Sequence, residues 1–360
     1  MDGHIAVSRA ICSTLLALQS DEGSVVDPVT KIPDQRATAE VAKSLLFTGK
    51  SREGIKSFRW LLEVQNKNGS FNETFSGFNE ESCVATGIVG RLMLVAYRKA
   101  GDRKLLESAL RAGEYVLSKE FSPGYFIKSP YHYGDILNVN ATCAALLYQL
   151  HLDTGKQKYL DARNRAIYNT VRYQFKDGAY PYAAPARTFP YEYELNVKDP
   201  HYHSITLYFL LAADPDMENP YARISVAKAA EWLSSTMTRK GFSWRRCRLP
   251  FSIGATGGYG YAAYCFRRLG RIKDFENTMQ KLGSMEKYQG LFGRYEPFSF
   301  PEMVGNVIDE VLYPHYAFQT KAIRLREIMR RYVRERRNVT PSLYYSAQIA
   351  ECLTEITRTL

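Results

Sequence analysis

Gln65-Asn66-Lys67-Asn68-Gly69-Ser70-Phe71 and Gln174-Phe175-Lys176-Asp177-Gly178-Ala179-Tyr180 are two copies of one phrase: a glutamine, a glycine four residues on, and an aromatic ring two residues after that. Gln19-Ser20-Asp21-Glu22-Gly23-Ser24-Val25 is a third copy, with valine in the aromatic place. Looser copies run through Phe121-Ser122-Pro123-Gly124-Tyr125-Phe126, Thr238-Arg239-Lys240-Gly241-Phe242-Ser243-Trp244 and Gln289-Gly290-Leu291-Phe292-Gly293-Arg294-Tyr295. The glycines Gly23, Gly69, Gly124, Gly178, Gly241 and Gly293 lie 46, 55, 54, 63 and 52 residues apart. A period of that size fits one helical pair with its loops.

The phrase has a mechanical reading. An apolar helical run precedes it, as in Trp60-Leu61-Leu62-Glu63-Val64. Glycine just past a helix end takes the left-handed conformation that a side chain would penalise, and the later ring can tuck under the turn. Each copy therefore ends one helix and opens a structured loop. A helix rich in Ala, Leu and aromatics follows each loop: 37–47, 82–97, 140–152, 204–213, 259–269 and 316–329. More amphipathic helices, such as 104–118 and 158–173, lead on to the next glycine phrase. Helices apolar all round are buried, and amphipathic ones face water on one side. The expected fold is therefore all-α, an (α/α)6 toroid in which six inner helices are wrapped by outer ones. The whole chain, 1–360, is expected to form one such domain, with 341–360 as an extra helix packed across the closure.

The glutamine–glycine–aromatic repeat is similar to that of terpenoid cyclase and protein prenyltransferase toroids. The stretch from Leu137-Asn138-Val139-Asn140-Ala141 through Thr154-Gly155 to Tyr159-Leu160 resembles carbohydrate-active toroids: uronate epimerase C-terminal domains, polysaccharide lyases and toroid proteins of polysaccharide loci. Asp199-Pro200-His201-Tyr202-His203-Ser204 opens an inner helix where such proteins carry an Asn-Phe-His-Thr type phrase. That resemblance implies a protein acting on an acidic, uronate-containing glycan. One toroid hosts many chemistries, so the residues must carry the function.

Composition sets outer bounds. No Pro/Gly/Ser-rich linker divides the chain, and no run of about 18 apolar residues suggests a membrane span. The N-terminus lacks the basic, apolar and small-residue order of a secretory signal, so a cytoplasmic location is expected, with peripheral membrane attachment as a variant of it. Six scattered cysteines without a Cys-x-x-Cys pair read as buried free thiols. No cofactor and no metal set is expected. The net charge is +11, and the segment Lys321–Arg337 carries eight basic and two acidic residues. It reads either as a solvated helix end or as a patch for an anionic membrane surface or an acidic protein partner. Nucleic acid is not supported, since few aromatics interleave with the basic run and no nucleic-acid motif occurs.

In a toroid, loops and the N-terminal ends of the inner helices pool residues from all repeats at one mouth. Four of the six histidines and many of the 26 tyrosines fall at such positions. The expected catalytic residues are His203, His201, Tyr259, Tyr261, Asp135 and Glu81. The expected substrate-binding residues are Asn138, Asn140, Arg36, Arg245, Arg246, Tyr133, Tyr193, Trp244, His315 and Tyr316. Rings stack on sugar C–H faces, while Asn, Arg and carboxylates bind hydroxyls and charged groups. Each has a plainer reading: the histidines and asparagines as helix caps, the tyrosines as packing, and Glu80 and Glu81 as first-turn acids meeting the helix dipole.

Two mechanisms follow from the resemblance. Lyases and epimerases abstract the proton at C5 beside a carboxylate neutralised by Asn, Arg or His, with Tyr or His exchanging the proton. Hydrolysis would use two carboxylates flanking the bond, drawn from Glu80, Glu81, Asp135, Glu192 and Glu194. Outside enzymes, the chain could serve as a glycan-binding or scaffold subunit of a polysaccharide or glycoconjugate assembly system. An isoprenoid-handling toroid is a further alternative, but the chain has no Asp-x-Asp-Asp or Asp-Asp-x-x-Asp.

Overall fold

A computed structural model of the chain describes residues 3–74, 79–184, 197–244, 254–285, 287–296, 300–312 and 340–358, with isolated positions between 322 and 333. Six inner helices form a closed ring: α2 (Gln35–Phe47), α4 (Cys83–Ala100), α6 (Leu137–Thr154), α8 (Pro200–Ala213), α10 (Gly258–Arg268) and α13 (Leu343–Arg358). Each packs on the next, and α13 packs back on α2. The outer layer is α3 (Ser51–Val64), α5 (Arg103–Ser118), α7 (Gln157–Val171), α9 (Pro220–Thr236) and α11 (Ile272–Ser284), completed by α1 (Gly3–Leu16), which lies against α13. The all-α toroid expected from the repeats is the observed fold.

Its closure differs from expectation. The helix at the C-terminus does not lie across the ring; it is the sixth inner helix, and its outer partner comes from the other end of the chain. Helix α12 (Phe300–Leu312) and the basic segment are interposed between α11 and α13. On α12, Met303 is buried while Phe300, Ile308, Val311 and Leu312 are exposed. Most of 316–329, where an inner helix was expected, and most of the basic run lie outside the described residues. Among the described residues, small two-stranded hairpins, which the repeat phrase did not disclose, stand at four loops. They are β1 (Asn72–Glu73) with β2 (Glu80–Glu81), β3 (Glu120–Ser122) with β4 (Tyr125–Phe126), β5 (Met237–Thr238) with β6 (Gly241–Phe242), and β7 (Lys287–Tyr288) with β8 (Leu291–Phe292).

The repeat phrase explains how neighbouring hairpins join. Gly69 takes φ +89°, and a Cβ there would stand 2.4 Å from the Arg111 carbonyl oxygen of α5. The glycine turn is thus pressed onto the outer helix of the next pair. Glutamine pins it there: Gln65 Nε2 donates to the carbonyls of Gly69 (2.9 Å) and Ser108 (3.0 Å), and Gln174 does the same to Gly178 and Ser225, both at 2.8 Å. In the sixth copy the left-handed glycine is Gly290 (φ +78°), not Gly293, and it meets Thr14 of α1. That contact continues the same docking across the chain ends.

A buried ionic cluster ties the inner ring together. Glu351 of α13 accepts from Lys43 of α2 (2.6 Å), Arg91 of α4 (2.9 Å) and the Tyr208 hydroxyl of α8 (2.9 Å). Lys43 also pairs with Glu355. Burial opposes the charge on Glu351, but Lys43 and Arg91 outweigh it and hold the carboxyl down to about 2. Removing one partner of a buried set strands the others. Glu351→Ala is therefore expected to destabilise the fold by about 3–5 kcal/mol, read as a lower urea midpoint. A folded value of about 2 against the ordinary 4.5 makes this contribution full above pH 4.5 and lost as pH falls toward 2.

Candidate active site

One position in each inner helix anchors the preceding loop. The backbone N–H of Val25 donates to Thr38, that of Phe71 to Thr86, and that of Phe126 to Asn140, all at 2.9 Å. Tyr180 donates to His203 Nδ1 (2.9 Å), Phe242 to the Tyr259 hydroxyl (2.8 Å) and Phe292 to Ser346 (2.9 Å). Six side chains of five kinds thus do the same job: each accepts from an N–H beside a glycine turn and satisfies a buried donor. The residues two places earlier are Arg36, Val84, Asn138, His201, Gly257 and Tyr344. All of these except Gly257 line one cavity at the N-terminal mouth of the ring.

The cavity holds about 370 Å3, in the usual range for a small-molecule site. Its wall is aromatic and cationic. Tyr182 and Tyr202 meet edge to face at 4.4 Å, His201 lies 4.8 Å from Tyr202 and 5.4 Å from Tyr345, and Tyr344 lies 5.6 Å from Tyr345. Arg36 sits 4.5 Å over the Tyr344 ring and donates to its hydroxyl, to the Tyr261 hydroxyl (2.8 Å) and, through Nε, to Glu40 (3.0 Å). Lys128 pairs with Glu73 at 3.1 Å, and Arg294 completes the cations of the wall. Asn138, His201 and Gln348 each line the cavity and each carry a buried polar atom with no hydrogen-bond partner among the described residues.

The electrostatics separate the groups. Burial, reinforced by the nearby Arg36 charge, lowers His201 to about 3, so its imidazole is neutral at ordinary pH. Burial also pushes Glu40 up to about 7 against the pull of Arg36, so Glu40 only partly offsets that guanidinium near neutrality. Glu73 is held below the usual carboxylate range, because Lys128 outweighs the cost of its burial. Burial drives the Tyr344 hydroxyl well above the usual phenol value, keeping it protonated. Among the described residues no group of three His, Cys, Asp or Glu is placed to hold a metal ion, and no helix is long and apolar enough to cross a membrane.

Of the residues expected at the site, the structure brings Arg36, Asn138 and His201 together in the cavity. Tyr261 lies behind the wall on Arg36. His203 does not face the cavity: it stacks on Tyr180 (5.2 Å), and Nε2 donates to the Ala229 carbonyl (3.0 Å). Burial lowers it to about 3 as well. Asn140 joins Phe126 to Asp135, which also accepts from Asn169. Tyr259 and Trp244 both donate to Glu296, at 2.5 and 2.6 Å. Glu81 pairs with Lys119 on the β1–β2 hairpin, and Tyr133 is exposed. None of these last six lines the cavity. Tyr193, Arg245, Arg246, His315 and Tyr316 lie outside the described residues.

The sequence reading missed Tyr344, Tyr345 and Gln348, because it placed the sixth inner helix at 316–329. It also missed Lys128, Glu73 and Tyr182, which come from loops. Aligning the six copies by their glycines would have exposed the two-residue alternation between loop anchor and cavity wall, and with it the difference between His203 and His201.

With the geometry in place, the chain can be set beside known proteins. Neither a protein-family model nor a curated protein matches it. Solved structures do. An unsaturated glucuronyl hydrolase specific for heparin superposes with a TM-score of 0.69 at 12% identity, covering 99% of this chain and 98% of that one. A GH76 α-mannanase from Bacteroides thetaiotaomicron gives 0.63 at 11% identity, covering 99% and 96%. The unsaturated glucuronyl hydrolase of Bacillus sp. GL1 gives 0.60 at 12%, covering 95% and 98%. The likeness shows the fold, an (α/α)6 toroid.

His203 and His201 should respond unequally to truncation. His203→Ala removes a fully buried ring and leaves the Tyr180 N–H unsatisfied, a loss of about 3 kcal/mol. His201→Ala opens onto an existing cavity and should cost about 1 kcal/mol or less. Urea denaturation of the two variants checks the difference.

Proposed function

We propose that the mouth of the ring binds an acidic saccharide and removes the proton beside its carboxylate. The observation that carries this is the make-up of one cavity: Arg36, Lys128 and Arg294 against Glu73, with tyrosine faces and a neutral histidine. Cations and Asn138 suit a carboxylate, and tyrosine rings suit sugar C–H faces. Solved toroids of similar shape that carry glucuronyl hydrolase names agree with this class of ligand.

In this reading, Arg36 and Asn138 take the sugar carboxylate. The Arg36 charge and the N–H groups of both stabilise the negative charge that grows on it as the C5–H bond breaks. His201 accepts the C5 proton. A bound carboxylate would offset the Arg36 charge that helps hold His201 low, so binding raises the basicity of the group that needs it. In an elimination, the C5–H electron pair becomes the C4–C5 double bond, the C4–O4 bond breaks, and the leaving oxygen takes a proton from Tyr344. The Arg36 guanidinium at that hydroxyl stabilises the phenolate left behind. Return of a proton to the opposite face of C5, with no bond cleaved, would be epimerisation at the same site.

A second reading rests on Glu73, the carboxylate among the described cavity residues, and on the hydrolase names of the neighbours. Its lowered pKa suits a base or nucleophile rather than an acid, so hydrolysis would need a second carboxylate as proton donor.

The products separate these readings. Incubation with uronate-containing oligosaccharides should generate the ultraviolet absorbance of a conjugated C4–C5 double bond, or inversion at C5 seen by NMR. Cleavage that leaves only saturated non-reducing ends would favour Glu73 hydrolysis. His201→Ala should cut turnover about a hundredfold or more while the oligosaccharide still binds. Full turnover in that variant would remove His201 from the chemistry.

A further inference from the structure

We infer that the substrate extends beyond the acidic sugar in the main cavity, and that its next sugar is uncharged or an amino sugar, bound in a cleft between the 27–34 turn and residues 340–342. This rests on the acidic-saccharide reading. The cleft encloses about 90 Å3 and shares Arg294 and Tyr344 with the main cavity, so the two spaces adjoin across those side chains. A chain that fills the cavity and leaves past Tyr344 enters the cleft.

The cleft has its own chemistry. Asp27 and Asp34 line it, with the hydroxyls of Thr30, Thr74, Thr340 and Ser342. Asp27 Oδ1 accepts from the backbone N–H groups of Val29 and Thr30, both at 2.8 Å, which fixes the turn and leaves Oδ2 without a partner among the described residues. Asp34 uses its oxygens on Ala37 N–H (2.6 Å) and the Thr74 hydroxyl (2.8 Å), so it too is set in place. Two fixed carboxylates and four hydroxyls accept from sugar hydroxyls or from an ammonium group. Against the one cation of the cleft, Arg294, the two carboxylates leave it net acidic, which disfavours a second carboxylate or a sulfate. The cavity wall is cationic where the cleft is acidic, and a chain of alternating acidic and uncharged or amino sugars matches that alternation.

Calorimetry with three probes tests this: glucuronic acid, a disaccharide of glucuronic acid and N-acetylglucosamine in both linkage orders, and that disaccharide sulfated on the hexosamine. One linkage order should bind about tenfold tighter than glucuronic acid, and sulfation should erase the gain. Thr30 is exposed at the rim of the cleft. Thr30→Trp should bring the ratio of disaccharide to glucuronic acid affinity down to about one. A disaccharide that binds no tighter than glucuronic acid overturns the inference and leaves the cavity reading standing. So does a gain that survives sulfation or Thr30→Trp. Absence of binding by any of the three probes overturns the cavity reading itself, and this inference with it.

Discussion

Glu351 enters the centre of the ring from the last helix of the chain, and Lys43, Arg91 and Tyr208 reach to it from three other inner helices. The three charged groups and the hydroxyl are buried, so each must find its partner in the folded ring or carry a heavy desolvation cost. The cluster therefore makes the ring specific about which helix completes it. Tyr344, Tyr345 and Gln348 stand on that same helix, one to two turns nearer its N-terminal end. Closing the ring and completing the cavity wall are one event.

The second closure is at the perimeter. The glycine turn of each repeat docks on the outer helix of the next, and the last turn docks on α1. The chain ends thus meet in one helical pair, α13 with α1. A ring built this way needs no special closing element. The same joint is used at the seam as elsewhere, with Gly290 against Thr14 where Gly69 meets Arg111.

Much of this was legible in the amino-acid order. Glutamine, glycine and aromatic recur because a carbonyl pin, a left-handed turn and a buried ring recur, and those demands survive sequence drift. The site was only partly legible. Arg36, Asn138 and His201 were within reach because they sit in helix first turns. His203, Asn140 and Tyr259 carry the same kinds of side chain but accept loop N–H groups instead. Residue type alone does not separate the two roles; the position within the repeat does. Tyr344 escaped because the segment between α11 and α13 interrupts the period. Lys128 and Tyr182 escaped because loops carry no periodic signal.

The central claim is that the first turns of the inner helices converge on a site for an acidic sugar. The most direct measurement is a crystal structure of the protein soaked with a uronate disaccharide. The expected result places the sugar carboxylate against Arg36 and Asn138, with C5 facing His201 and the ring against tyrosine. A sugar held at the surface away from Arg36, or oriented with its carboxylate turned from both residues, would contradict it.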